Sequence, residues 1–399
     1  MSSLFRHFFG LIVLIGFLTP ALAESDPPAR VGRLSLAEGD VIFRTDRQDP
    51  GNPAVVNWPV SSGAIVDTGG RSRAEVWIGS TAYRLAGNSR AEFVTVDDRR
   101  VNLQLATGTL AVTLRDRNQA EDLEIETPEG RVRFAGTGRY RIEARPGRTT
   151  VAAQSGSAEV SAGGRSLAVR AGEMATIGGR GSVSMEAAPY GDDFDTWVSA
   201  RDNEEKSALA RRNVSPYMTG YQDLDAYGDW DTVDDYGTVW YPRAVVAGWA
   251  PYSDGRWAWV EPWGWTWVDD VPWGFPTSHY GRWFLWEQRW YWAPGPVVPR
   301  PVFSPGLVGW AAGPPPLVRP GYRPVPPVQG WVPLGPRDPY PPRRYPGPGY
   351  WQRPVPGTGL PPARDNERKA ARAASSSENM RIRPRLSRCH SISPSSQLT

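Results

Sequence analysis

The sequence predicts a mainly β protein: an all-β domain of sandwich or solenoid type, then a small tryptophan-rich module of β-hairpins, then a proline-rich tail. Three observations carry that prediction. Residues 31–180 repeat short alternating stretches such as VIFR, AEVWIG, VNLQLA, LEIET and RYRIEA, with Gly, Asn, Asp or Pro between most of them. Period-two alternation broken by turn residues every few positions is the pattern of strands with one face buried. Residues 254–270, DGRWAWVEPWGWTWVDD, hold five tryptophans at mostly alternating positions. Finally, residues 294–362 contain twenty-three of the forty prolines, a density that forbids helix or sheet interior and favours polyproline II.

The N-terminus reads as a secretory signal peptide over 1–23. Arg6 supplies a basic start, residues 8–18 an apolar run, and Ala21-Leu22-Ala23 a small-residue cleavage site. The run is shorter than the ~20 residues a spanning helix needs, so the expectation is a periplasmic or secreted chain with no integral membrane segment after cleavage. Cys389 is the single cysteine, so no internal disulfide framework is available. Stability must come from packing and hydrogen bonds.

A short linker, 24–31, leads to the all-β domain at 32–180. Within it LAEGDVIF (36–43), LATGTLAV (105–112) and AQSGSAEV (153–160) each place a glycine before a polar residue and a new strand. The glycine is expected to supply a positive-φ turn, and the three copies suggest duplicated hairpins.

Four stretches of this domain, GAIVDTGGRSRAEVWIGSTAYRLAGNSRAEF, LATGTLAVTL, IETPEGRVRFAGTGRYRIEA and LAVRAGE, resemble the periplasmic domain of FecR-type proteins over about 32–178. The resemblance implies an all-β module of the kind that receives a signal from outer-membrane transporters and relays it toward a cytoplasmic sigma factor. A regulator of that kind spans the membrane. This sequence places a cleavable signal peptide where the cytoplasmic region and retained helix would be, so the relay itself is not implied.

Residues 183–239 carry thirteen acidic against four basic residues. They read as an acidic linker, 181–235, with one short helix in which Phe194, Trp197, Val198 and Arg201 share a face. Asp192, Asp193 and Asp195 would cap that helix and favour its dipole. Asp229, Asp231, Asp234 and Asp235 invite a calcium reading, but the EF-hand spacing is absent, and no metal is expected.

The module at 236–295 reads as three hairpin units: YGTVWYPRAVVAGWAPYS, DGRWAWVEPWGWTWVDD and YGRWFLWEQRWYWAPG. Alternation puts Trp257 with Trp259, Trp265 with Trp267, and Trp290 with Trp292 on common strand faces. Two readings stay open. The indoles are the core of a small sheet that has few aliphatic residues to bury. Alternatively Trp257, Trp259, Trp265, Trp267, Trp283, Trp290 and Trp292, with Arg256 and Arg282, form an exposed platform for sugar rings or proline-rich peptide. This stretch, together with FDTWVSARD, GYQDLDAYGDW and GWVPLGP, resembles an uncharacterised Tyr/Trp-rich family of exported bacterial proteins over about 190–340, which implies location and architecture.

Beyond lie a proline-rich segment, 296–362, and a polar tail, 363–399, expected to be disordered. Residues 293–399 hold fifteen basic against four acidic residues, so the tail could meet anionic surfaces or the chain's own acidic segment. Basic residues in a proline-rich tail of an exported chain do not make a case for nucleic acid.

No catalytic constellation emerges. His390 sits beside Cys389 in the tail without a scaffold to fix their geometry, and His279 reads as a turn or packing residue. Motifs of the HExxH, GxSxG and P-loop kinds are missing, and no cofactor is expected. Glu261 with Asp269 or Asp270 is the best remaining pair for glycoside chemistry. The expectation is a non-catalytic envelope protein whose all-β domain binds or senses an envelope protein, the alternative being a glycan or peptidoglycan binder that uses the tryptophans.

Overall fold

A computed structural model describes residues 27–189, 191–204, 209–310, 330–336 and 338. The signal peptide, residues 311–329 and 339–362, and the tail with Cys389 and His390 lie outside the described residues.

The all-β domain is a sandwich of two sheets that share one long strand. The first sheet runs Pro59–Val60, Gly32–Glu38, Arg73–Ile78, Thr81–Leu85, the second half of Val101–Leu114, Gly138–Arg145, Arg148–Ser155, Glu173–Gly178 and Val183–Ala187. The second runs Asn52–Pro53, Val41–Arg44, Ala64–Thr68, Arg90–Val96, the first half of Val101–Leu114, Leu123–Thr127, Gly130–Phe134, Ser157–Ala162 and Arg165–Arg170. Leu123–Thr127 pairs in parallel with the long strand, and the other strand pairings of the sandwich are antiparallel. Alternation does what the sequence predicts. Leu34, Val66, Leu103, Leu110, Ile125, Val132, Ile142, Val151, Val160 and Ile177 interdigitate between the sheets as a single core.

The three glycine echoes are corners rather than the duplicated hairpins expected. Gly39, Gly108 and Gly156 all have positive φ (77°, 92° and 80°), and at each the chain passes from one sheet to the other. Gly39 joins Gly32–Glu38 to Val41–Arg44, Gly108 divides the shared strand, and Gly156 joins Arg148–Ser155 to Ser157–Ala162. A side chain would also collide there: a Cβ on Gly108 would lie 2.4 Å from Ser89 Cα, and one on Gly156 2.5 Å from Thr137 O. A sharp corner between packed sheets needs both the left-handed conformation and the missing Cβ.

The acidic segment is not a linker with one helix. It holds helices Asp193–Glu204, Leu209–Asn213 and Leu224–Tyr227, and the first lies as a strap across the outer face of the first sheet. Its predicted face is the one that docks. Phe194 and Val198 are buried against Ala111, Trp197 stacks on Phe194 and takes the Arg73 guanidinium at 5.0 Å, and Arg201 reaches Glu75 at 2.8 Å. Asp192 caps the helix by accepting from the amides of Phe194 and Asp195.

Charge fixes the strap in place. Glu75 and Arg84 are both fully buried and pair at 2.7 Å. Arg84 also reaches Asp202 at 2.7 Å, as does Arg115, and Arg139 lies 3.2 Å from the same carboxylate. Asp195 and Asp192 take Arg141. The strap carboxylates Asp192, Asp195 and Asp202 are therefore matched by arginines of the sandwich, which lie elsewhere in the sequence.

Burial alone would push the Glu75 carboxyl up, yet Arg84 and Arg201 hold it down at about 2. Its contribution is thus fully present above the ordinary carboxylate pKa and is lost as pH falls toward 2. Glu75→Gln removes the buried carboxylate that Arg84 and Arg201 share and leaves Arg84 with Asp202 and Arg201 with Glu204 alone, which should cost about 3 kcal/mol. Urea denaturation at pH 7 checks this, and the gap between variant and wild type should shrink when the measurement is repeated near pH 3.

Candidate functional site

The tryptophans are organised by a repeated Gly-x-Trp. It stands at Gly228-Asp229-Trp230, Gly255-Arg256-Trp257 and Gly281-Arg282-Trp283, and each copy opens a hairpin. The hairpins pair Gly228–Val233 with Gly237–Pro242, Gly255–Val260 with Gly264–Asp269, and Arg282–Trp286 with Arg289–Ala293. The register faces Trp230 with Trp240, Trp257 with Trp267, and Trp283 with Trp292. The expected first unit, 236–253, was thus out of register, and the module boundary at 235/236 falls inside a hairpin.

Each glycine makes room for the indole of the far strand. A Cβ would lie 2.2 Å from Trp240 Cε2 at Gly228, 2.6 Å from Trp267 Cζ2 at Gly255, and 2.5 Å from Trp292 Nε1 at Gly281. The three seated indoles are almost wholly buried, and each N–H has an acceptor: Leu224 O at 3.0 Å, Asp269 Oδ2 at 2.9 Å and Tyr280 O at 2.8 Å. A buried indole without an acceptor would carry the full desolvation cost of its N–H.

A single meander was expected, and the structure departs from it. The first and third hairpins join through Trp240 and Trp292 into one four-stranded sheet, whereas the second forms its own two-stranded ribbon. Its outer edge is already occupied, because Trp267 N donates to Pro305 O at 2.8 Å. Helix Gly274–His279 and the aromatic cluster of Trp240, Trp249, Trp273 and Trp283, with ring centroids 5.2–6.4 Å apart, fill the space between.

The proposed platform is therefore not one surface. Trp267, Trp283, Trp290, Trp292 and Arg282 are buried, so they cannot stack on a ligand. Arg282 donates to Gly281 O from inside the core. Trp257, Trp259 and Trp265 are half-buried. Trp257 packs edge-on against Trp267 and Trp331, while Trp259 and Trp265 cross at 90° with centroids 5.7 Å apart. Arg256 is exposed and pairs with Asp270 at 2.8 Å. Sequence reasoning missed Trp240, Trp273, Tyr252, Phe275 and Phe303, which are buried centres of this core. For Trp240 a signal existed: it follows its glycine by twelve positions, as Trp267 does.

The titratable groups are structural in placement. His279, expected as a turn or packing residue, is the last residue of helix Gly274–His279 and packs buried between Phe275 and Phe303. Burial pushes it down to about 3, with Nδ1 2.7 Å from Ser304 O. Asp269 is buried too, pushed up to about 6 by desolvation although Ser278, Trp267 and the Val271 amide donate to it. Glu261 and Asp270 are exposed whereas Asp269 is buried, so Glu261 and Asp269 do not share an environment. Asp229 pairs with Arg243 at 2.9 Å, and among the described residues no group of three or more His, Cys, Asp or Glu is placed to hold a metal.

The tryptophan module docks onto the sandwich through a polar joint. Asn57, in the left-handed region at φ 68°, donates to Asp269 O at 2.9 Å and Val271 O at 2.8 Å. Arg33 is 1% exposed; it donates to Asn57 Oδ1 and Pro272 O and pairs with Asp223 at 2.6 Å. Thr219 bridges Val31 O and the Gly79 amide.

Comparison with known proteins finds two matched stretches. Residues 64–159 match the family model described as FecR protein, and residues 221–338 match a family of unknown function, DUF6600. The chain thus carries a FecR domain followed by a domain of an uncharacterised family. No curated protein matches. Two crystal structures of a protein described as an anti-sigma factor from Parabacteroides distasonis ATCC 8503, at 2.50 and 1.65 Å, are similar at 12% and 11% identity with TM-scores of 0.29 and 0.30. Each similarity covers 34% of this chain and 63–64% of the other. Scores this low do not establish a shared fold.

Asp269 gives a pH signature. Its folded pKa lies above the unfolded value, so the native state binds the extra proton between about pH 4 and 6 and stability falls as pH rises through that window. At about 1.4 kcal/mol per unit, the ionised carboxylate costs on the order of 2–3 kcal/mol above pH 6. Asp269→Asn should remove this slope, which thermal or urea unfolding from pH 4 to 7 would show.

Proposed function

We propose that this is an exported, non-catalytic envelope protein whose FecR domain binds or senses a partner protein, with the strap and tryptophan module serving as its scaffold. The observation that carries the proposal is the inward turn of the tryptophans. Seven were candidates for a ligand platform; four of these are core residues, and a fifth is packed against two further indoles. The outer strands of the sandwich remain as the extended polar surface. Export is supported by Arg6, the apolar run at 8–18 and Ala21-Leu22-Ala23. Among the described residues no helix is long and apolar enough to cross a membrane, which leaves β-barrels unaddressed.

A glycan-binding reading keeps one specific observation in its favour, the half-exposed pair Trp259 and Trp265 beside exposed Glu261. Photo-crosslinking in the producing cell separates the two. A photoreactive phenylalanine analogue is placed singly at Val56, Val94 or Leu167 on the sandwich, or at Trp259. Discrete protein adducts are expected from at least one sandwich position. Adducts confined to the Trp259 position and carrying saccharide would contradict the proposal and establish the glycan reading.

A further inference from the structure

The sandwich treats its sheet edges unequally. At one end both sheets finish in two-residue strands, Asn52–Pro53 and Pro59–Val60. Short strands carrying proline are how sheets avoid recruiting another chain. At the other end the first sheet closes with Val183–Ala187, which runs on into the strap. The second sheet closes with Arg165–Arg170, a six-residue strand exposed at every position except Val169. Among the described residues that strand pairs only on one side, with Ser157–Ala162.

The polarity of that open edge can be worked out. Arg170 N donates to Glu173 Oε2 at 2.8 Å, so the Arg170 amide faces away from the partner strand. Successive residues of an antiparallel strand alternate in the direction of their backbone groups. Ser166 and Ala168 therefore also present N–H and C=O outward, while Arg165, Leu167 and Val169 bond inward. Ser166 and Ala168 thus offer outward ladder groups, a template for another strand, while the Arg170 amide is already taken by Glu173.

Charge then selects the occupant. A second copy could pair antiparallel only with outward residues opposite outward ones. In the registers centred on Leu167 or Ala168, Arg170 would face Gly164 or Ser166 and Arg165 would face Val169 or Ala171, so neither arginine would meet a carboxylate across the ladder. A strand with acidic residues five positions apart meets both arginines favourably, and between them its alternate apolar side chains would continue the face formed by Leu167 and Val169.

We propose that Arg165–Arg170 is a docking edge which adds an extended, acid-flanked segment of a partner protein as a further antiparallel strand of the second sheet. This rests on the reading of the sandwich as a partner-binding domain. The probe is acetyl-Glu-Val-Thr-Val-Thr-Glu-amide, with acetyl-Lys-Val-Thr-Val-Thr-Lys-amide as its reversed counterpart, each labelled and titrated against the full chain lacking residues 1–23. The acidic peptide should bind at least tenfold more tightly at low salt and slow amide exchange at Ser166 and Ala168. In Arg165→Glu/Arg170→Glu the preference should invert. Ala168→Pro, which removes an outward N–H that the ladder inside does not use, should abolish binding of both peptides. The proposal is overturned if neither peptide binds, if the double variant leaves the preference unchanged, or if protection appears away from 165–170. Should it fail while crosslinks still form at Val56 or Val94, partner binding stands and only the edge assignment is lost.

Discussion

Burying an indole requires space for its ring, and an acceptor for its N–H spares the desolvation cost of that group. That constraint governs the tryptophan module. Gly228, Gly255 and Gly281 supply the space for Trp240, Trp267 and Trp292, and the carbonyls of Leu224 and Tyr280 and the carboxylate of Asp269 supply the acceptors. At 150–250 Å² per aromatic side chain and about 25 cal/mol per Å², each seated indole contributes on the order of 4–6 kcal/mol of transfer energy. A disulfide-free module with few aliphatic residues could hardly reach that by other means. The four-stranded sheet and the separate ribbon are two solutions to the same local requirement.

The seating of the indoles also decides how the module meets the rest of the chain. Asp269 accepts the Trp267 N–H with its side chain, and with its backbone carbonyl it accepts Asn57 from the sandwich. Core packing and the joint between modules thus share one residue. The strap adds a second attachment in a different currency, charge: Arg84, Arg115 and Arg139 gather on Asp202, and Glu75 is neutralised by Arg84 and Arg201. Removal of one member of such a buried set is more damaging than the set as a whole is stabilising.

Much of this was legible in the sequence. Alternation gave the strands of the sandwich, the helix face of Phe194, Trp197, Val198 and Arg201 was read correctly, and the positive φ of Gly39, Gly108 and Gly156 followed from their context. What those glycines do was not legible, because a corner between sheets and a hairpin turn place the same demand on φ. Nor was the burial of the tryptophans. Alternation says which side chains share a face, not what covers it, and the cover for Trp257 and Trp267 comes from Tyr252 and from Trp331, more than sixty positions later. The unit at 236 was misplaced because Tyr236-Gly237 resembles the later openings, whereas the repeat is Gly-x-Trp and begins at Gly228. The acidic segment looked like a linker because its partners, Arg84 and Arg141, lie in another part of the sequence.

Burial of the tryptophans is what supports the proposed binding role of the sandwich. Acrylamide quenching of tryptophan emission in the folded chain, compared with the same chain in guanidinium, tests this most directly. The account predicts a blue-shifted native emission whose quenching slope is several-fold below that of the unfolded chain. A native slope close to the unfolded one would mean that the indoles stand in water, and would contradict both the glycine-seated core and the function built on it.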